Sequence, residues 1–242
     1  PAAPQRLSLP VWIPGSYLVR EFSKHLQKLT ARQDGKAVPL QQLDKCTWQA
    51  DGVASSPLVL SYEVYAFDNS VRTAWLDSQR GFFNGTSLCL RVHVQEAQPH
   101  ALEIVAPVAG WEAATGLEPL KVGKRGFGTY LAADYDELVD CPVEMGTFWS
   151  AEFRAGGVPH RFVVAGAAES FDGERLLAEL HVDAVLLHVL RRLGGRFLLA
   201  ADARRGARPP ARGARRAGRP RAGAEGARPR VLRGDAGGRA VR

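Results

Sequence analysis

The sequence has only three cysteines in 242 residues, Cys46, Cys89 and Cys141. They are too few and too far apart for a disulfide framework or a CxxC zinc site, so we expect buried or free thiols in a reducing compartment. No run reaches the roughly 18 to 20 apolar residues of a transmembrane helix, because the nearest stretch, residues 182–199, contains three Arg and a His. The sequence opens at Pro1 without a secretory signal pattern, and we predict a cytoplasmic protein with no membrane partner.

The pattern His-Glu-x-x-His, which holds zinc on one face of a helix, is also absent. His93 and His160 fall at solvent-facing positions of predicted strands, where solvated or cross-strand roles are far commoner than metal ligation. The loop VGKRGFG, with Gly123, Gly126 and Gly128, has neither P-loop nor dinucleotide-binding spacing and predicts a hairpin. We therefore assign no catalytic residue, metal ligand or cofactor to this chain, and its substrate-binding residues stay unknown.

Most of the chain lacks a net positive charge, although the whole sequence has a net charge of +7 and an isoelectric point of about 9.7. Residues 203–242 contain 13 Arg, no Lys and two acidic residues, so they carry +11 and leave −4 for residues 1–202. Arg, Ala, Gly and Pro supply 35 of these 40 residues, a composition that cannot form a packed core. We predict a low-complexity basic tail over residues 196–242, either disordered or translated out of frame from a GC-rich gene. Nucleic acid is not favoured as a partner, because the tail lacks Lys, Ser and aromatic residues.

Alternating polar and apolar residues in the first part of the chain indicate half-buried β-strands. In LVLSYEVYAF, residues 58–67, large apolar side chains alternate with Ser61 and Glu63. Residues 87–95 alternate in the same way, which predicts a strand with Cys89 facing outwards and Val94 facing inwards. The dipeptide Asn84-Gly85 predicts a tight turn before that strand, because both residues tolerate a positive φ.

Further strands are predicted at residues 101–105 and 158–165, and no helical pattern of useful length precedes Phe171. Many short strands with one late helix predict an all-β fold, an antiparallel β-sandwich over residues 1–170. Asp172 can cap a following helix over residues 171–195, which has apolar residues at helical spacing. This helix is the predicted start of a truncated catalytic domain, ahead of the tail.

Two polar runs place charges between large aromatic residues: WIPGSYLVREFSKHL, from Trp12, and YAFDNSVRTAWLDSQRGFFNGT, from Tyr65. Such mixtures are typical of ion-paired loops that pack on a core or against a second domain, and we favour this role over direct contact with substrate. The residues that we would mutate first to test either role are Tyr17, Arg20, Asp68, Arg72 and Asn84.

Together with DYDELVDCPVEMGTF, from Asp134, and GVPHRFVVAGA, from Gly157, these runs resemble the glycyl aminopeptidase family of bacterial zinc metallopeptidases, which end in a PDZ domain. The resemblance covers roughly Leu7 to Leu180. It implies a β-rich N-terminal domain beside a helical, thermolysin-like catalytic domain, in which two histidines and a more distant Glu hold zinc. None of those ligands is carried over, because this chain has no matching motif.

The resemblance implies that this chain is the non-catalytic N-terminal domain, a fragment, of a glycyl aminopeptidase-like metallopeptidase that hydrolyses N-terminal residues from peptides. Zinc would be the cofactor of the intact enzyme, and the missing catalytic and PDZ domains its partners. We expect this chain to be inactive by itself. After Leu180 the sequence departs from the family, which favours a frameshift between His181 and Ala203. The family also begins with a strand or two ahead of Leu7, so we expect an exposed sheet edge or an altered pairing here.

Two alternatives from other classes stay open. The first is a standalone β-sandwich binding module in which the basic tail binds nucleic acid. The second is a carbohydrate-binding sandwich, which would need solvent-facing aromatic rings. Its candidates are Trp48, Trp75, Trp111 and Trp149, although indole groups in such folds more often fill the core.

Overall fold

The computed structural model describes residues 4–13, 16–51, 56–155, 158–166, 171–182, 198–202 and 231–236. The strands within them are β1 (Gln5–Ser8), β2 (Leu26–Gln33), β3 (Lys36–Val38), β4 (Leu40–Gln42), β5 (Thr47–Ala50), β6 (Leu58–Tyr65), β7 (Ala74–Leu76), β8 (Arg80–Phe83), β9 (Arg91–Val92), β10 (His100–Ile104), β11 (Glu112–Thr115), β12 (Glu118–Val122), β13 (Gly128–Ala132), β14 (Val143–Gly146), β15 (Phe148–Ala155), β16 (Val158–Ala165), β17 (Leu198–Asp202) and β18 (Val231–Ala236). The α-helices are α1 (Tyr135–Asp140) and α2 (Gly173–Val182), and 3-10 helices span Phe22–His25 and Gly85–Ser87.

The strands form five small sheets. Their strand orders are β4-β5-β1-β9, β18-β6-β2-β3, β10-β13-β12, β11-β14-β8-β7 and β15-β16-β17. Within the described residues every strand pair is antiparallel except β16 with β17. The predicted all-β, antiparallel fold class is therefore confirmed. The predicted hairpin at VGKRGFG is confirmed too, since that loop joins β12 to β13.

The first two of these sheets share a small apolar core. Leu7 of β1 packs with Ala31 of β2 and Leu60 of β6, and all three side chains are buried. Along β6 every second side chain is buried from Leu60 onwards, whereas Ser61 and Glu63 are partly exposed. The strand predicted from the alternation of residues 58–67 is therefore confirmed, with one face fixed against the core.

A larger core is built from the next two sheets. Ala132 of β13 and Val143 of β14 are fully buried, and Trp111 and Met145 pack with them. Such a core forms because strands of both sheets turn apolar residues towards each other and remove them from water. The polar residues of the second polar run lie on β8, which belongs to one of these sheets, and in the loops next to β7 and β8.

A short helix, α1, lies where the sequence predicted no helix, before Phe171. Asp134 caps its start by accepting a hydrogen bond from the Glu137 amide at 2.8 Å, and Glu137 Oε2 accepts one from the Ala133 amide at 2.6 Å. The Tyr135 side chain is buried in the larger core. Packing and capping therefore sustain a helix of six residues that is too short to show a periodic pattern.

The predictions for Asn84-Gly85 and for residues 87–95 were wrong. Asn84 has a φ of −92° and caps the 3-10 helix that follows it, instead of forming a hairpin turn. Within residues 87–95 only Arg91–Val92 pairs as a strand. Cys89 is buried instead of exposed, and Val94 is 91% exposed with a φ of 72°.

Two tyrosine hydroxyls explain this irregular path. Tyr62 Oη donates a hydrogen bond to the carbonyl of Leu88 at 2.7 Å, and Tyr135 Oη donates one to the carbonyl of Cys89 at 2.8 Å. Because side chains satisfy these carbonyls, the segment needs no ladder of strand hydrogen bonds at this point. The alternation of residues 87–95 was overridden by contacts from distant parts of the chain.

The β15–β16 hairpin forms a third core with α2. Phe153 and Phe162 are buried there, and the Trp149 ring lies so close to α2 that a Cβ on Gly173 would come within 2.2 Å of it. α2 confirms the start of the predicted helix, whereas residues 183–195 lie outside the described residues. Of the two α-helices that the structure describes, neither has the length and apolar character needed to cross a bilayer.

Two strands fall within the tail predicted over residues 196–242. β17 extends the β15–β16 sheet in parallel to β16, and β18 pairs with β6 in antiparallel register. The other residues of this range lie outside the described residues, so their disorder stays a prediction. The division of the chain at residues 170 and 195 likewise stays a prediction.

Candidate functional site

The structure brings the two polar runs to the same side of the domain. The 3-10 helix Phe22–His25 belongs to the first run, and it contacts the 3-10 helix Gly85–Ser87 at the end of the second. The His25 ring stacks on Tyr65, with ring centroids 6.0 Å apart. Burial lowers the pKa of His25 below its usual value, and the nearby charge of Asp68 opposes this shift. Residues from both runs therefore form one candidate site.

A row of aromatic rings extends from this junction. Tyr65 lies 6.5 Å from Phe67, and Phe67 stacks on Trp75 with centroids 4.5 Å apart. Tyr65 and Phe67 are 38% and 59% exposed, and Val71, in the loop between Phe67 and Trp75, is 63% exposed. Large apolar side chains that lie next to each other and stay partly exposed on a surface indicate a contact with another molecule or domain.

The loop before the first 3-10 helix presents further apolar side chains. Trp12 is 55% exposed, Leu18 is 64% exposed, Val19 is 76% exposed and Tyr17 is fully exposed. Buried Ile13 holds the loop to the domain beside Leu9 and Phe22. We call the exposed apolar residues of the two runs the apolar rim; they are Trp12, Tyr17, Leu18, Val19, Tyr65, Phe67 and Val71.

Arg20 holds the loop of the apolar rim in shape. Its Nε and Nη2 donate hydrogen bonds to Ser16 Oγ at 3.2 and 2.9 Å, and its amide donates one to the carbonyl of Val11 at 2.6 Å. These bonds close the loop on itself and leave the Tyr17 ring projecting into solvent. Arg20 is therefore a residue that shapes the loop, whereas Tyr17 is the residue that the loop displays.

Asp68, Arg72 and Asn84 lie in adjoining turns. Thr73 Oγ1 donates to the carbonyl of Asp68 at 2.9 Å, and the Asn84 amide donates to the carbonyl of Thr73 at 3.0 Å. The Arg72 amide donates to Ser70 Oγ at 3.3 Å. These contacts fix the backbone of the loop between Phe67 and Trp75. The structure therefore brings Asp68, Arg72 and Asn84 together, and their backbone contacts support the aromatic row.

Replacing Asn84 with alanine is expected to lower the free energy of unfolding by about 1 kcal/mol. Asn84 Oδ1 accepts hydrogen bonds from the amide and the hydroxyl of Thr86, which is buried, and alanine would leave that amide without its partner. Urea unfolding measures the effect. Asn84→Asp, which keeps the acceptor oxygen, is the matched control, and an Asn84→Ala protein of unchanged stability would contradict the capping role.

A buried ion pair beneath the second run was missed by the sequence analysis. The Glu144 side chain is 0% exposed, and its oxygens accept hydrogen bonds from Arg80 Nε at 2.7 Å and Nη2 at 2.9 Å. Arg80 Nη1 also donates to Asn69 Oδ1 at 3.0 Å. The guanidinium therefore ties β8 and β14 to the loop that carries the aromatic row.

A cavity of about 590 Å³ opens beside Arg80, where β8 approaches the start of β15. Trp111, Phe148 and Trp149 supply aromatic walls, and Gln79 adds an amide. This volume lies in the range of small-molecule sites.

The buried thiol and tyrosines near the site are structural groups. Burial raises the pKa of the Cys89 thiol to about 12, and burial also raises the pKa of Tyr62 and Tyr135. All three therefore stay protonated at neutral pH and are poor nucleophiles. The prediction of buried or free thiols is confirmed, since Cys46, Cys89 and Cys141 form no disulfide and both Cys89 and Cys141 are buried.

No group of three His, Cys, Asp or Glu side chains in the described part of the chain is arranged to hold a metal ion, so these residues do not fit zinc. His93 instead makes a hydrogen bond with Ser8 Oγ at 2.9 Å, which is the expected cross-strand role. His160 was predicted to face solvent, and that was wrong. It is buried and stacks on Phe153, with ring centroids 5.2 Å apart.

Two of the four tryptophans considered for carbohydrate binding fill the interior. Trp48 is 8% exposed and Trp111 is 5% exposed. Trp149 packs edge-on against Phe162 and Phe171. Trp75 stacks its face on Phe67, so that face is covered by another ring of the same chain. These positions favour packing over a platform for sugar rings.

Comparison with known proteins matches a family model and solved structures. The family model for the Peptidase M61 N-terminal domain matches residues 1–147. The chain is also similar to the crystal structure of an aminopeptidase N family protein from Idiomarina loihiensis, with 41% identity and a TM-score of 0.70, over 73% of this chain and 30% of that one. This chain thus spans less than a third of its structural relative, and a search among curated proteins found no match. The resemblance to this kind of peptidase is confirmed, and the chain belongs to the peptidase M61 family through its N-terminal domain.

Proposed function

We propose that the chain is the non-catalytic N-terminal domain of a glycyl aminopeptidase-like zinc metallopeptidase, a longer enzyme that removes N-terminal residues from peptides. The match of residues 1–147 to the N-terminal domain of the family carries the proposal. It is supported by the structural relative, an aminopeptidase N family protein of which this chain covers only 30%. The chemistry of the enzyme then belongs to the part of the longer protein that this chain does not include.

Zinc, in this proposal, is bound outside this chain. In such peptidases the ion polarises the scissile carbonyl and lowers the pKa of a bound water. The described residues of this chain do not fit a metal ion, so we derive no catalytic step for them. Their role is to fold as a β-rich unit and to present a surface to the remainder of the enzyme.

The apolar rim is the surface that we propose for this contact. It has several large apolar side chains, and the loop that displays them is held by Arg20. An interface between domains needs such a cluster, because burying apolar area against a partner supplies most of the free energy of association. The nearby ion pair of Arg80 and Glu144 would keep β8, and with it the β7–β8 hairpin, fixed against β14.

We expect the purified chain to show no hydrolysis of glycyl-p-nitroanilide, with or without added zinc. The physical reason is that a peptidase needs a metal-bound water and a general base, and the proposal places both outside this chain. Release of nitroaniline, followed by absorbance, measures the rate. The full-length structural relative, loaded with zinc, is the matched positive control.

The activities of this chain and of the longer relative test two parts of the proposal independently. Hydrolysis by this chain that a chelator blocks would contradict its non-catalytic role. Failure of the longer relative to cleave glycyl substrates, while it cleaves substrates with other N-terminal residues, would contradict the glycyl preference and leave the domain role in place. Activity of the longer relative alone is the expected result.

A further inference from the structure

The outer edge of β6 is paired over six of its eight residues by a strand from the far end of the chain. β2 covers one side of β6, and β18 covers the other. β18 pairs with β6 through six consecutive residue pairs, from Val231 opposite Tyr65 to Ala236 opposite Leu60, without a shift of register. The β2 side is less regular, since its register shifts between Gln27 and Thr30. The outer edge is thus the more regular of the two.

β6 is held rigidly enough to act as a template. Leu60, Tyr62 and Val64 are buried, and the Tyr62 hydroxyl is anchored on the carbonyl of Leu88 at 2.7 Å. A one-residue slip would turn these side chains out of the core, so the register of β6 is fixed before any strand joins its outer edge. An eight-residue strand with such an edge exposes a row of amide and carbonyl groups that a further extended segment can pair with.

We propose that the outer edge of β6 is a binding site for an extended peptide segment, and that residues Val231–Ala236 of this chain are its occupant. The segment is recognised through hydrogen bonds of its main chain, as in the addition of a strand to a sheet edge. Binding therefore requires only an extended segment in antiparallel register. The site is independent of the peptidase proposal, since it needs neither zinc nor a catalytic domain.

Covalent connection favours the chain's own segment over a free peptide. A tethered segment meets its site at an effective concentration on the order of millimolar, whereas a six-residue strand in trans must supply that concentration from solution. The β6 edge therefore stays occupied by β18 and becomes open to another extended peptide when β18 is displaced.

Hydrogen exchange on the full chain, followed by mass spectrometry, tests the proposal. The key variant is Leu232→Pro/Arg233→Pro, because proline has no amide hydrogen to donate. Neighbouring amides of a strand point to opposite sides, so one of the two substitutions removes an amide that faces β6. We expect about three of the six amides of residues 60–65 to lose protection, because only alternate amides face β18. Ala222→Pro/Gly223→Pro, placed outside β18, is the matched control and should leave this protection unchanged.

A synthetic peptide with the sequence Val-Leu-Arg-Gly-Asp-Ala should restore protection of β6 in the key variant at millimolar concentration, and the same peptide with two prolines should not. Unchanged protection of β6 in the key variant, or failure of the first peptide, overturns the proposal. Rapid exchange of Val231–Ala236 in the unaltered chain also overturns it, whatever the variants do. Protection that rises with protein concentration would assign the edge to a second copy of the chain and overturn the intramolecular assignment.

Discussion

Replacing Glu144 with alanine is expected to lower the free energy of unfolding by about 3 to 5 kcal/mol. The carboxylate is 0% exposed and accepts two hydrogen bonds from Arg80, whose side chain is only 12% exposed. Alanine would remove the counter-ion and leave a guanidinium charge largely shielded from water. The cost of that unpaired charge exceeds the cost of the lost contact itself, which is why the effect is large.

Urea unfolding of the variant, followed by tryptophan fluorescence, measures this change. Arg80→Met/Glu144→Leu is the informative second variant, because removal of both charges leaves neither unpaired and should recover much of the stability. Glu21→Ala serves as the control, since Glu21 and Lys45 form an exposed pair at 3.7 Å and its loss should have little effect. A Glu144→Ala protein no less stable than the control would contradict a structural role for the buried pair.

The regular strands could be predicted from the sequence because their burial is local and periodic. β6 is the clearest example. Its apolar and polar residues alternate because one face of the strand packs against the core, and the structure buries Leu60, Tyr62 and Val64, as the pattern predicts. The same reasoning failed for residues 87–95, where hydroxyl groups of Tyr62 and Tyr135 determine the backbone path. Alternation predicts burial where the segment stays in a regular strand with one face packed on a core, and residues 87–95 do not stay in such a strand.

The candidate site was predicted only in part. The mixture of charges and aromatic residues located both polar runs, and the structure places them side by side. The role of Glu144 could not be inferred, because its partner Arg80 is 64 residues away in the sequence and pairs with it only after β8 and β14 have joined. The one available signal was a lone Glu within the apolar segment from Val143, which needs a buried partner of opposite charge.

Gly126→Ala is expected to lower the free energy of unfolding by about 2 to 5 kcal/mol, the combined cost of left-handed backbone strain and overpacking. Gly126 has a φ of +79°, and a Cβ there would lie 2.0 Å from the carbonyl oxygen of Ala113. That oxygen belongs to the backbone of β11 and cannot turn aside like a flexible side chain. Relief of the clash would also strain the hydrogen bonds from the Ala113 amide to Arg125 and from the Tyr130 hydroxyl to Gly126.

Alanine substitutions at two other glycines distinguish backbone strain from overpacking in the same urea experiment. Gly35 has a φ of +75°, and a Cβ there would meet no atom within 4 Å, so Gly35→Ala should cost only the backbone strain, about 1 to 2 kcal/mol. At Gly123 a Cβ would make an ordinary contact of 3.6 Å with the Phe127 carbonyl oxygen, and Gly123→Ala should change stability least. Equal losses for Gly126→Ala and Gly35→Ala would mean that the loop moves away from Ala113 freely, and that the β12–β13 hairpin is not fixed against β11 as the structure has it.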